Sequence, residues 1–144
     1  MTSNAAVFAH PESAEEAFYG AFATLDLAGM GAVWVQEQRP FCVHPGGDLL
    51  EGRRAVLESW REIFSGSEPP AIEHRLLGSF QSGDLAIHLV EEMIQPRGSG
   101  GQANRVLATN VYVREGDCWR MAEHHASLPL VARRDTGRQE GPLH

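Results

Sequence analysis

Three features of this 144-residue chain predict an α+β fold, with three helices first and an antiparallel sheet after them. Apolar residues recur with a helical period as far as Phe64, then with a period of two after Pro69-Pro70. The later segments are joined by short polar turns, Ser82-Gly83-Asp84 and Glu115-Gly116-Asp117, which suit hairpins. Helices grouped ahead of strands give two segregated layers rather than an alternating, parallel arrangement.

The first helix is expected from Ser13-Ala14-Glu15-Glu16, a pattern in which Ser13 caps and Glu16 reaches back. Phe18, Phe22 and Leu25 follow at i, i+4 and i+7 and make one apolar face. Asp26 is placed to end this helix and to cap a shorter second one lined by Met30, Val33 and Trp34. Phe41-Cys42-Val43-His44 is an apolar strand that breaks at Pro45-Gly46-Gly47. A third helix starts near Arg53, carries Val56, Trp60 and Ile63 on one stripe, and stops around Ser65-Gly66-Ser67. Four strands are then expected: from Ile72, over Leu85 to Gln95, over Ala103 to Arg114, and over Cys118 to Ser127. From Leu128 no period survives. Residues 1–130 are expected to form one domain, and 131–144 a flexible tail.

Composition narrows the function. A formal charge of −7, with no basic run longer than Arg133-Arg134, speaks against nucleic acid, which is held by clustered cations. It speaks equally against an anionic membrane surface as partner. No apolar run approaches the ~18 residues of a membrane span, and Met1-Thr2-Ser3-Asn4 does not open a signal peptide. Two cysteines, Cys42 and Cys118, do not make a disulfide framework. Reduced thiols in a cytoplasmic protein are expected.

Several residues stand out chemically. His44 ends its strand where a titratable ring can face a pocket. Asn110 lies inside an otherwise apolar strand, and a buried amide must find partners. His124 and His125 are neighbours in a strand and point to opposite faces; His125 is taken as the inward one, with Glu123 on its side. Glu91 and Glu92 are split in the same way, and Arg75 or Arg105 is available to pair with one of them. Trp34 and Trp60 read as core or pocket wall, and Tyr19 as a donor beside the apolar face of the first helix. Leu107, Thr109, Val111 and Val113 would leave an apolar sheet face in water unless a second copy covers it, so a homodimer is expected.

The order of these pieces resembles a known family. The pieces are Leu27-Ala28-Gly29-Met30 with Trp34, Cys42 to Gly47, and Leu50-Glu51-Gly52-Arg53 leading to Ser59-Trp60. Ala108 to Val113 and Trp119 to Ser127 complete the set. Together they span residues 12–128 and resemble the nuclear-transport-factor-two-like superfamily. Within it they look most like the SnoaL-like branch, which is also similar to ketosteroid isomerase and to the association domain of calcium/calmodulin-dependent kinase. The resemblance implies a cone-shaped, curved antiparallel sheet closed by the three helices around a pocket. It also implies positions: the isomerase's base falls on His44, its tyrosine on Phe18 and its second acid on Asn110, so the steroid isomerase's donor set is not kept.

Two readings stay open. One is a cofactor-free, metal-free enzyme of isomerase, cyclase or dehydratase type. It would act on a small, largely apolar carbonyl compound, with His44 as base, Asn110 and His125 as partners, and Phe18, Trp34, Trp60, Tyr19 and Glu123 around the ligand. The other is a non-catalytic homodimeric module for ligand binding or association. A pocket filled by Phe18, Trp34 and Trp60 would favour the second.

Overall fold

The computed structural model describes residues 7–66, 68–97 and 101–131. Three helices, α1 (Pro11–Thr24), α2 (Leu27–Val33) and α3 (Arg53–Ser65), pack on one face of a six-stranded sheet. The strands are β1 (Phe41–Val43), β2 (Leu50–Glu51), β3 (Ala71–Ser82), β4 (Leu85–Gln95), β5 (Asn104–Glu115) and β6 (Cys118–Ser127). The expected tail lies almost wholly outside the described residues.

Local chemistry explains most boundaries. Helix α1 begins two residues before the expected cap, at Pro11, whose missing N–H costs nothing in a first turn. The amides of Ser13 and Ala14 bond to the His10 carbonyl instead, and no side chain caps the helix, so the expected capping box is not formed. Leu25 ends α1 in the left-handed conformation, at φ 55°. Asp26 then caps α2 as expected, its Oδ1 accepting from the Gly29 amide at 3.0 Å. Helix α3 starts and stops where the sequence places it and buries Val56, Trp60 and Phe64. The β3–β4 and β5–β6 turns use Gly83 and Gly116 at positive φ, a region that a residue with a Cβ adopts at some cost.

The sheet corrects the expected cone. Its strand order is β2-β1-β6-β5-β4-β3, with β2 and β3 as free edges. Strands β3 to β6 form an antiparallel meander, but β1 runs parallel to β6, pairing Cys42 with His124 and Val43 with His125. The sheet is therefore mixed rather than antiparallel, and it is neither closed nor strongly curled. The region between helices and sheet is filled rather than hollow. Phe18, Met30, Trp34, Trp60, Tyr112 and Met121 are at most 1% exposed there.

Two single-residue bulges break the period of two. Leu77 is the extra residue between the pairs Leu76–Val90 and Gly78–Leu89, and Ala122 the extra one between Tyr112–Met121 and Val111–Glu123. The second bulge decides which histidine of β6 is inside.

Candidate functional site

Residues from four elements meet at the centre of the helix-facing side of the sheet. Strand pairing sets His88, Asn110 and His124 side by side on β4, β5 and β6, beneath Glu15, Phe18 and Tyr19 of α1. Tyr19 donates to Glu92 Oε2 at 2.5 Å and accepts from Asn110 Nδ2 at 3.0 Å. Asn110 thus presents its Oδ1 to His124 Nδ1, 2.6 Å away. That nitrogen must carry the hydrogen, which leaves Nε2 of His124 as a lone pair.

The electrostatics follow from burial. Desolvation, aided by His44 and His125 nearby, pushes His124 down to about 3, so the ring is neutral. Desolvation raises the Glu92 carboxyl to about 7, opposed by the Tyr19 bond and reinforced by Glu15. Burial beside Glu92 also raises the Tyr19 hydroxyl far above its ordinary range. A second cluster adjoins the first: Glu15 Oε1 accepts from the Tyr112 hydroxyl at 2.6 Å and stands 3.0 Å from His88 Nδ1. All three are buried.

His44 sits apart, half-buried at the end of β1. Its Nε2 is 2.9 Å from Ser59 Oγ, whose only hydrogen goes to the Val56 carbonyl at 2.6 Å. Ser59 must therefore accept, His44 carries its hydrogen on Nε2, and Nδ1 is its free basic atom. Burial lowers the His44 pKa, so the ring is neutral at neutral pH. Its face meets Trp60 edge-on at 4.8 Å. Cys42 Sγ lies 3.7 Å from the same Nε2, but burial and Glu123 push the thiol up to about 12, which removes it as a nucleophile.

The structure brings together Phe18, Tyr19, Trp34, Trp60 and Asn110 of the expected set, with His124 in place of His125. Taking His125 as inward is a correction: it is exposed, while His124 is 2% exposed. The cause is the bulge at Ala122, which reverses the facing of every later residue of β6. Glu123 is half-buried and pairs with Phe41 and Val111, away from the Asn110 chain. Phe18 and Tyr19 are both buried, and the hydroxyl on the Asn110 chain comes from Tyr19. Glu15, His88 and Tyr112 were not singled out from the sequence. The signal for His88 is its pairing with Asn110 and, through it, His124, polar residues at matched positions on three adjacent strands, visible only once the register is known; Glu15 lies on α1 and Tyr112 pairs with Ala86 and Met121, so neither carries that signal.

This polar centre is closed over: Asn110, His124 and Glu92 are at most 2% exposed. Instead, an apolar cleft of about 440 Å³ lies between the ends of α1 and α3 and the far end of β4. Phe22, Leu25, Ile63, Pro70, Ile94 and Pro96 form its walls, with Glu68 and Arg97 also on the lining. Phe22 stands between this cleft and the buried core, meeting Trp60 at 5.0 Å. No helix among the described residues is long and apolar enough to cross a membrane.

Comparison with known proteins accounts for nearly all of this architecture. Residues 12–131 match the SnoaL-like domain family. The fold is similar to a crystal structure provisionally described as a calcium/calmodulin-dependent protein kinase type II association domain, from Thiobacillus denitrificans. The identity is 38% and the TM-score 0.81, over 86% of this chain and 98% of that one. It is also similar to a provisionally described dehydratase of the NTF2-like family from Streptomyces avermitilis, with 32% identity and a TM-score of 0.74, over 82% and 92% of the two chains. An F-box protein of Arabidopsis thaliana, SKIP8, is 24% identical over 105 residues; the match covers 73% of this chain and 43% of that protein.

Proposed function

The chain belongs to the SnoaL-like domain family, and from that membership we propose that it binds a small, largely apolar, carbonyl-bearing molecule. The ligand site is the cleft between the ends of α1, α3 and β4. The observation that carries this reading is the contrast between the filled centre and the open cleft. Trp34 and Phe18 have no exposed surface, whereas the cleft offers about 440 Å³ between six apolar side chains. That volume lies within the range of ordinary small-molecule sites, roughly 300–1,000 Å³. Thermal-shift screening with a panel of apolar ketones, esters and lactones tests the proposal. A ligand that raises Tm in the wild type should lose its effect in Ile63→Trp, which fills the cleft. Equal stabilisation of both proteins would sink the assignment.

Homodimerisation through the outer sheet face belongs to the same proposal. Phe80, Leu85 and Leu89 are 59%, 37% and 42% exposed on that face, where strand pairing sets them beside Ile87, Val111 and Val113. Leu89→Lys should convert a dimer to a monomer in sedimentation velocity.

Cofactor-free proton transfer, of isomerase, cyclase or dehydratase type, is the second reading. It is favoured by the neutral His44 ring with its free Nδ1 and by the likeness to the Streptomyces protein. His44 does not line the cleft. A base acts only within hydrogen-bond reach of its substrate, so this reading places the substrate at His44 Nδ1 and not in the cleft. His44→Ala should abolish any turnover, and turnover that survives it removes His44 as the base.

A further inference from the structure

The polar lining of the cleft carries an inference about the ligand's head group, which rests on the reading that the cleft is the ligand site. We propose that the cleft selects a neutral amphipath whose polar end is a carbonyl acceptor, such as a lactone or ester, and discriminates against the carboxylate of the same chain length.

Among the described residues, Glu68 and Arg97 alone bring charge to a lining that is otherwise apolar. Arg97 is oriented rather than loose: its Nε donates to the Pro69 carbonyl at 3.2 Å. Its two terminal amines have no partner among the described residues. Glu68 and Arg97 form no ion pair with each other, so each keeps its capacity for a bound molecule.

A carbonyl oxygen gains a charge-assisted hydrogen bond from Arg97 and brings no charge of its own. A carboxylate gains a stronger bond from Arg97, but it meets Glu68 on the same lining and gives up far more hydration against the apolar walls, and these two costs outweigh the gain. The chain's net charge of −7 adds to that repulsion. Leu25 supports a shaped apolar wall. It holds a left-handed backbone at φ 55°, a conformation that disfavours any residue with a Cβ, and its side chain lines the cleft.

The test is calorimetric titration of the full-length chain with three probes of one chain length: γ-decalactone, decanol and decanoate. In the wild type the lactone should bind tightest and decanoate about ten-fold more weakly or worse. Arg97→Met should reduce the lactone to the affinity of decanol. Glu68→Gln should strengthen decanoate and narrow its gap to the lactone. Both positions are exposed, and circular dichroism melts should show both variants folded. Decanoate binding as tightly as the lactone in the wild type, or a preference that neither substitution moves, overturns the head-group assignment. The cleft itself then stands if Ile63→Trp still abolishes binding. Binding that survives Ile63→Trp, or no binding by any of the three probes, overturns the cleft and the head group together.

Discussion

Glu91 and Glu92 are consecutive residues of β4, 5% and 1% exposed, and they face opposite sides of the sheet. On the outer side Glu91 is held by two cations, Arg75 at 3.0 Å and Arg105 at 2.6 Å. On the inner side Glu92 is held by a phenol, Tyr19, and by no cation among the described residues. One carboxylate is kept in a charged cluster, while the other is pushed towards its neutral form, with its pKa near 7. Two chemically identical neighbours thus acquire different electrostatic surroundings from what packs against them.

The largest effect should come from pH. His124 would be protonated below 6.5 in the unfolded chain but stays neutral in the fold until about 3. The native state binds fewer protons in that window, so stability falls as pH drops through it. Glu92 acts in the opposite sense. Its unfolded value is 4.5 and its folded value about 7, so stability falls as pH rises through that interval. Fully developed, the two contributions are on the order of 5 and 3 kcal/mol. Between pH 4.5 and 6.5 they offset each other. Glu92→Gln removes one of them, and urea unfolding should then show stability rising by about 1.4 kcal/mol per pH unit relative to wild type. Parallel profiles for the two proteins would break the account of Glu92.

Next in size is the amide that joins the chain. Asn110→Ala strands the His124 Nδ1 hydrogen, removes a donor to Tyr19, and leaves a cavity among fully buried neighbours. A loss of about 3 kcal/mol is expected in chemical denaturation. Tyr19→Phe should cost less, about 1–2 kcal/mol, because Glu92 is able to take up a proton when its donor is gone. Equal costs for the two substitutions would mean that the chain is not organised around Asn110.

Much of this contrast was legible in the sequence, up to the point where strand register enters. The alternation of β4 placed Glu91 and Glu92 on opposite faces and named Arg75 and Arg105 as partners, and both pair with Glu91. The limits of β4 and β6 and the start of α3 also followed from period and turn residues. The bulge at Ala122 did not, because an inserted residue has no signature of its own in an apolar strand, and it exchanged His125 for His124. The short β2, two residues long, offers no period to detect. The cone came from resemblance and is not formed: the sheet is neither closed nor strongly curled, and the large rings of Phe18, Trp34 and Trp60 fill the space between it and the helices. The cleft was invisible for another reason: its walls come from chain segments far apart, and none of them is polar enough to attract notice.

Neutralising the two carboxyls by amides compares them at smaller magnitude. Glu91→Gln leaves Arg75 and Arg105 facing each other without an anion and should cost about 2 kcal/mol at pH 7. Glu92→Gln keeps an acceptor for Tyr19 and removes a charge that burial already opposes, so its cost at pH 7 should stay below about 1 kcal/mol. A reversal of that order would mean that the outer cluster is solvated enough to lose its anion freely.

The smallest effect separates the two arginines that hold Glu91. The Arg75 side chain is 58% exposed, and that of Arg105 25%. An exposed cation is screened by water and salt, so Arg75→Ala should cost about 0.5 kcal/mol and fade as sodium chloride is raised. Arg105 is closer and less hydrated, and its loss leaves the buried carboxylate to Arg75 alone; about 1–1.5 kcal/mol is expected, with a weaker salt dependence. The double variant should cost more than the two single losses combined, because only then are Arg75 and Arg105 both gone. Strict additivity in denaturation at two salt concentrations would mean that Glu91 finds a third source of compensation and is less different from Glu92 than its arginines suggest.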